Sequence, residues 1–118
     1  MATFSKLPLS GSIDGRPIRI TANASASANA IHTTQAGTSS MDEVYLYAYN
    51  DTTASIQVSV LWGATVEPDC VFRTTLLSQY GRTLIADGMI LRNGLTVYAY
   101  TNISGSIVNV DGFVNRIS

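Results

Sequence analysis

The chain is poor in charge, in cysteine and in histidine, and it lacks any helical period. Charged residues fill 13% of its 118 positions, against roughly 25% in ordinary soluble domains. Cys70 is the only cysteine, so no disulfide closes within the chain. His32 is the only histidine, and one His with one Cys falls short of a usual zinc ligand set. No Gly-x-Ser-x-Gly marks a serine nucleophile. No apolar run approaches the roughly 20 residues of a membrane helix. The stretch from Met1 to Pro8 has no apolar centre of a signal peptide, so synthesis in a cytoplasm, away from membrane, is expected. Lys6, Arg16, Arg19, Arg73, Arg82, Arg92 and Arg116 are scattered along a chain of net charge −1. Direct binding to nucleic acid would call for a basic cluster. These absences together point away from an enzyme and away from any metal or cofactor.

What is present is a palette of Ser, Thr, Asn and β-branched residues with a period of two. From Glu43 to Asn50, Val44, Leu46 and Ala48 alternate with Tyr45, Tyr47 and Tyr49. Turn residues follow at Asn50 to Thr53. From Ser55 to Trp62, Ile56, Val58, Val60 and Trp62 then share one face, which predicts a β-hairpin between the two runs. Further strands are expected at Pro17–Thr21, Ala30–Thr34, Val71–Leu77, Arg82–Ala86, Met89–Arg92, Leu95–Thr101 and from Ile107 onward. Asp87-Gly88 reads as a turn, Gly112 as a bulge, and Asn93-Gly94 as a type I′ hairpin turn. Thr21–Ala30 alternates Ala with Ser and Asn and reads as extended. About eight short strands predict an all-β fold, a two-sheet antiparallel β-sandwich of jelly-roll or Greek-key type, with a closed barrel as runner-up.

One domain fits the length. Residues 18–118 are expected to form the sandwich. Residues 1–17, with prolines at 8 and 17 and glycines at 11 and 15, are expected to form an arm lying across its own sheet or a neighbour. The chain also echoes itself: Tyr47-Ala48-Tyr49 with Ser55-Ile56 recurs 51 residues on as Tyr98-Ala99-Tyr100 with Ser106-Ile107. The match fades beyond Ile107.

Candidate sites are few. His32 reads as an ordinary structural or surface residue, and Cys70, beside Asp69, as a small buried apolar group. Glu67 and Asp69 are the closest approach to a Ca²⁺ site, but solvated carboxylates are the simpler reading. The tyrosines carry more. Tyr45, Tyr47, Tyr49, Tyr98 and Tyr100 lie opposite the aliphatic faces, where a solvated sheet would show charge. A large apolar body with a polar tip suits a protein or sugar interface, while cross-strand packing under loops would use the same residues.

The stretch FSKLPLSGSIDGRPI from Phe4 to Ile18, DEVYLYA from Asp42 to Ala48, Trp62-Gly63 and GFVNRIS from Gly112 to Ser118 resemble small virion-associated proteins of tailed phages, including cyanophages and marine phages. The resemblance implies a structural role on the virion: a decoration or cement protein, often a homotrimer, bound across the major capsid protein at the capsid surface. It carries no catalytic residue. Leu7, Pro8, Arg16 and Pro17 of the arm and Tyr45, Tyr47 and Tyr49 of the strand are the expected interface. Head–tail, tail or fibre parts, or a carbohydrate-binding module using the tyrosines, are the alternatives.

Overall fold

Alternation of β-branched and polar residues produces nine strands in the computed structural model, which describes residues 3–118. Met1 and Ala2, the first residues of the expected arm, lie outside the described residues. The strands are β1 Phe4–Pro8, β2 Ile18–Ile20, β3 Asn29–Thr33, β4 Met41–Asn50, β5 Ile56–Trp62, β6 Val71–Leu76, β7 Thr83–Leu91, β8 Thr96–Thr101 and β9 Val108–Ile117. One sheet runs β1-β9-β4-β7, with β2 also on β9; the other runs β3-β8-β5-β6. Every pairing is antiparallel.

β1 and β2 lie end to end along one edge of β9, on Phe113–Ile117 and Val108–Val110 respectively. They act as a single strand interrupted by an excursion over residues 9–17. Counted so, eight strands fold as a bent ribbon: first with eighth, second with seventh, third with sixth, fourth with fifth. That is the jelly roll.

The core is the set of inward positions: Val44, Leu46 and Ala48 of β4, Ile56, Val58 and Val60 of β5, Val97 and Ala99 of β8, and Val108, Val110 and Val114 of β9. Full burial of such an aliphatic side chain stabilises the fold by about 1.5–3 kcal/mol. The excursion joins this core through buried Leu9 and then crosses to the second sheet. There the Gly11 amide donates to the Ile31 carbonyl and the Thr33 amide donates to Ser10 Oγ. A Cβ on Gly11 would stand 2.6 Å from the Ala30 and Ile31 carbonyl oxygens, so the crossing needs glycine there. The arm residues from Phe4 onward therefore lie against their own sheet.

Several local expectations change. β4 and β5 are not a hairpin: they lie in different sheets, joined by an arch at Asn50–Ser55. An arch turns two apolar faces toward each other across a core, whereas a hairpin would put them side by side. Asn93 and Gly94 have the positive φ of a type I′ turn (71° and 74°), yet they link β7 to β8 of the opposite sheet. Asp87-Gly88 is no turn. It lies within β7, which carries register shifts at Ile85 and Gly88. Gly112 is no bulge, since β9 holds unbroken register on β4 from Met41↔Ile117 to Asn50↔Val108. Leu95, expected on the inner face of a strand, precedes β8 and is exposed.

The internal echo falls on equivalent arches. Asn50 pairs with Val108 where β4 leaves its sheet, and Thr101 pairs with Val58 where β8 leaves the other. The equivalence slips by one residue within the arch, and Val108 and Val110 then take the core places of Val58 and Val60.

Candidate functional site

The five tyrosines divide between the two sheets. Tyr98 and Tyr100 lie on the outer face of the β3-β8-β5-β6 sheet, and that face is covered. The segment leading from β2 to β3, with its short 3-10 turn at Ser25–Ser27, packs Ala22 and Ala28 onto Leu61, Tyr98 and Tyr100. The Ala22 carbonyl accepts from the Thr101 amide. Asn29 Oδ1 closes this cover by accepting from the Thr21 and Ala22 amides at 2.9 and 3.0 Å. The Tyr100 hydroxyl donates to Glu67, which also pairs with Arg73 at 3.1 Å. Glu67 is thus spent on neighbours, and among the described residues no group of three His, Cys, Asp or Glu could hold a metal ion.

Tyr45, Tyr47 and Tyr49 stand on the outer face of the other sheet, half-buried, and they belong to neither buried apolar cluster. The ladder sets the rows of this face. Pro8, Phe113, Tyr45 and Asp87 form one row, and Lys6, Asn115, Glu43 and Ile90 the next. Asp111, Tyr47 and Leu84 lie on the far side of the first, followed by Arg19, Asn109 and Tyr49. Phe113 is stacked on Tyr45 with ring centroids 4.7 Å apart, and Lys6 Nζ sits 4.5 Å from the Phe113 centroid. Arg82 lies 4.2 Å from the Tyr47 ring centre and pairs with Asp111 at 2.9 Å. The Tyr45 hydroxyl donates to Glu43 at 2.9 Å, and the Tyr49 hydroxyl to Asp51 at 3.2 Å. The hydrogen bond to Glu43 raises the Tyr45 pKa above its ordinary value.

The rings of Tyr45, Phe113 and Tyr47 therefore each stand with a face against a cation or another ring. Such a surface offers apolar area whose side chains already hold one another, so little side-chain entropy is lost when it is covered.

The expected interface residues do not all meet here. Pro8 joins Tyr45 in its row, and Tyr47 and Tyr49 share the face. Leu7 points the other way and, partly buried, packs against the core. Arg16 and Pro17 are exposed in the excursion and line a small cleft with Ile13 and Arg19. Phe113, Lys6, Arg82 and Leu84 are contributors that the sequence reading missed. The alternation of Asn109, Asp111, Phe113 and Asn115 with Val108, Val110 and Val114 was the signal for Phe113.

His32 is buried in a polar cluster at the excursion. Its Nε2 lies 2.7 Å from Asp42 Oδ2, and the Ser10 amide donates to its Nδ1 at 3.1 Å. With Nδ1 accepting, the ring proton sits on Nε2 and is given to Asp42. Arg116 donates to both oxygens of Asp42, at 2.8 and 3.0 Å. Burial pushes the Asp42 carboxyl up, but Arg116 and His32 outweigh it and hold the group below the ordinary carboxylate range. Both ring nitrogens are occupied, and no serine hydroxyl takes one of them. The cluster is a fastener, not a nucleophile and base. Cys70, expected to be buried, is only partly so: it sits in the turn before β6, where its carbonyl accepts from the Trp62 amide. No family model, curated protein or solved structure matches the chain.

Proposed function

We propose that this chain is a structural protein of a phage virion, a decoration protein that binds across capsid subunits at the capsid surface through the outer face of its β1/β2-β9-β4-β7 sheet. The observation that carries the reading is the contrast between the two outer faces. On one tyrosine-bearing face the chain's own β2–β3 segment packs against Leu61, Tyr98 and Tyr100 and buries Tyr100. The other, with Tyr45, Tyr47, Tyr49 and Phe113, is left open. A fold that covers one aromatic face and leaves the second bare is suited to having that second face covered by a partner. The low charge of the chain fits repeated, close protein contact, and the resemblance of its Phe4–Ile18 and Gly112–Ser118 stretches to virion-associated proteins supplies the setting. Sugar stacking is less well served, because the ring faces of Phe113 and Tyr47 are taken by Lys6 and Arg82.

The test is co-sedimentation of the purified protein with empty phage heads that lack it, alongside a Tyr45→Ser/Tyr47→Ser variant. The wild type is expected to bind. The variant, checked as folded by circular dichroism, is expected to bind about thirtyfold more weakly, as loss of an interface hot spot implies. Equal binding by the two proteins, or none by the wild type, overturns the reading. Specific hits on a glycan array would replace it with the carbohydrate-binding alternative.

A further inference from the structure

Two sheets have four edges, and three of them are interrupted or covered. On the β9 side the edge is split into β1 and β2 by the excursion, and Pro8 removes an amide from it. The β3 edge is covered by Ser10 and Gly11 of that excursion. The β7 edge is broken by two register shifts, which bend a strand away from pairing. β6 is different. It pairs with β5 through Ile56↔Leu76 to Leu61↔Val71 without a shift, has no proline, and among the described residues has no ladder partner on its other side.

The direction of its free groups follows from its neighbours. The Gln57 carbonyl accepts from the Asn102 amide, and the Gln57 amide donates to Asn102 Oδ1, so Gln57 points toward β8. Alternate residues of β5 then point toward β6, as the Trp62 amide on the Cys70 carbonyl shows directly. Val58 and Val60 therefore bond Thr74 and Phe72, and the amides and carbonyls of Val71, Arg73 and Thr75 face outward.

We infer that β6 is a pairing edge and that its occupant is a second copy of this chain, joined antiparallel about Arg73. In that register Val71 stands opposite the partner's Thr75 and Arg73 opposite the partner's Arg73. Every outward amide then meets an outward carbonyl. The Arg73 charges would repel if bare, but each is already paired with its own Glu67 at 3.1 Å. Two such pairs across a two-fold axis form an alternating cluster of four charges. Since the other edges are interrupted or covered, pairing stops at two copies instead of growing into a fibre. A foreign strand would satisfy the same backbone groups, but it would not supply the matching Glu67–Arg73 pair. The inference rests on edge geometry and not on the capsid reading; three copies, which the resemblance implies, would need a different contact.

The test is solution mass by light scattering on the full chain, with no capsid present. The expected result is twice the 12.6 kDa chain mass, and a return to single-chain mass for Thr75→Pro. That change deletes an outward amide and leaves the β5 ladder intact. As a second measurement, Val71→Cys/Thr75→Cys in a Cys70→Ser background, which keeps the Arg73–Glu67 pair, is expected to form a disulfide-linked dimer on mild oxidation. Opposed residues of a hydrogen-bonded pair lie about 5.5 Å apart at Cα, within disulfide reach. A wild type that stays a monomer or forms a trimer overturns the inference. So does a Val71→Cys/Thr75→Cys protein that fails to cross-link while folded. The capsid reading could fail with the dimer intact, and the reverse also holds.

Discussion

Single residues set the geometry of the tyrosine face from below. Gly112 lies in β9 opposite Leu46, and a Cβ there would stand 1.9 Å from the Tyr45 carbonyl oxygen. The obstacle is backbone held in a ladder, so no side-chain rotation relieves it. Gly112→Ala is therefore expected to cost at least about 3 kcal/mol, in the upper range for point substitutions. For a domain of this size that means a fall in Tm of about 10 °C or more, read by thermal unfolding. A loss of only one or two degrees would mean that β9 can move off β4 cheaply. The glycine was visible in the sequence as an interruption, but its cause was not. A bulge and a close approach leave the same mark in a one-dimensional pattern. The buried Asp42 was less visible still. It sits at an inward position of β4, where the alternation predicts an apolar residue, and only the distant Arg116 and His32 explain it.

At the scale of elements, strands were readable and their partners were not. The inward sets Val44-Leu46-Ala48 and Ile56-Val58-Val60 follow from period two alone. Whether two adjacent runs form a hairpin or an arch depends on whether their apolar faces lie beside or opposite each other, and periodicity is silent on that. The same limit split the tyrosines. Tyr98 and Tyr100 are covered by a segment that joins them only through the fold, so their local sequence matches that of Tyr47 and Tyr49. The N-terminal arm shows the largest consequence. Its prolines and glycines argued for a separable segment, yet Leu9 is fully buried among β-strand residues. Leu9→Ala is thus expected to destabilise the protein by about 2–5 kcal/mol, the cost of a core cavity. Denaturant unfolding would read this as a lower midpoint with an unchanged slope. An unchanged midpoint would return the excursion to the status of a detachable arm. Removal of residues 1–17 is consequently a poor probe of capsid contact, because it also removes a piece of core.

At the scale of the whole molecule, Asp42 ties together four parts of the chain that are far apart in sequence. It is carried by β4, meets His32 of β3 and Arg116 of β9, and through His32 reaches the Ser10 amide of the excursion. The cluster thus bridges both sheets where the chain crosses between them. Its carboxyl is held below the ordinary value in the folded protein by Arg116 and His32, despite burial. Unfolding releases it to about 3.9. The unfolded state therefore takes up a proton first as pH falls, and that uptake favours unfolding. The stabilisation is fully present above about pH 4 and is lost progressively below it, as the pH passes through the folded value. Asp42→Asn removes the anion while keeping the shape, and leaves the Arg116 guanidinium without its counter-ion. The variant is expected to be about 3–5 kcal/mol less stable at pH 7, in line with breaking a buried ion pair. Its Tm should also fall less steeply than the wild type's between pH 5 and pH 2, so the two curves converge in acid. Parallel curves across that range would mean that the cluster is not what couples the fold to protons. Asp42 is buried, so added salt should weaken its contribution far less than that of an exposed charge pair such as Arg82–Asp111. Repeating the pH series in high salt separates the two sources: a convergence that survives salt belongs to the buried cluster.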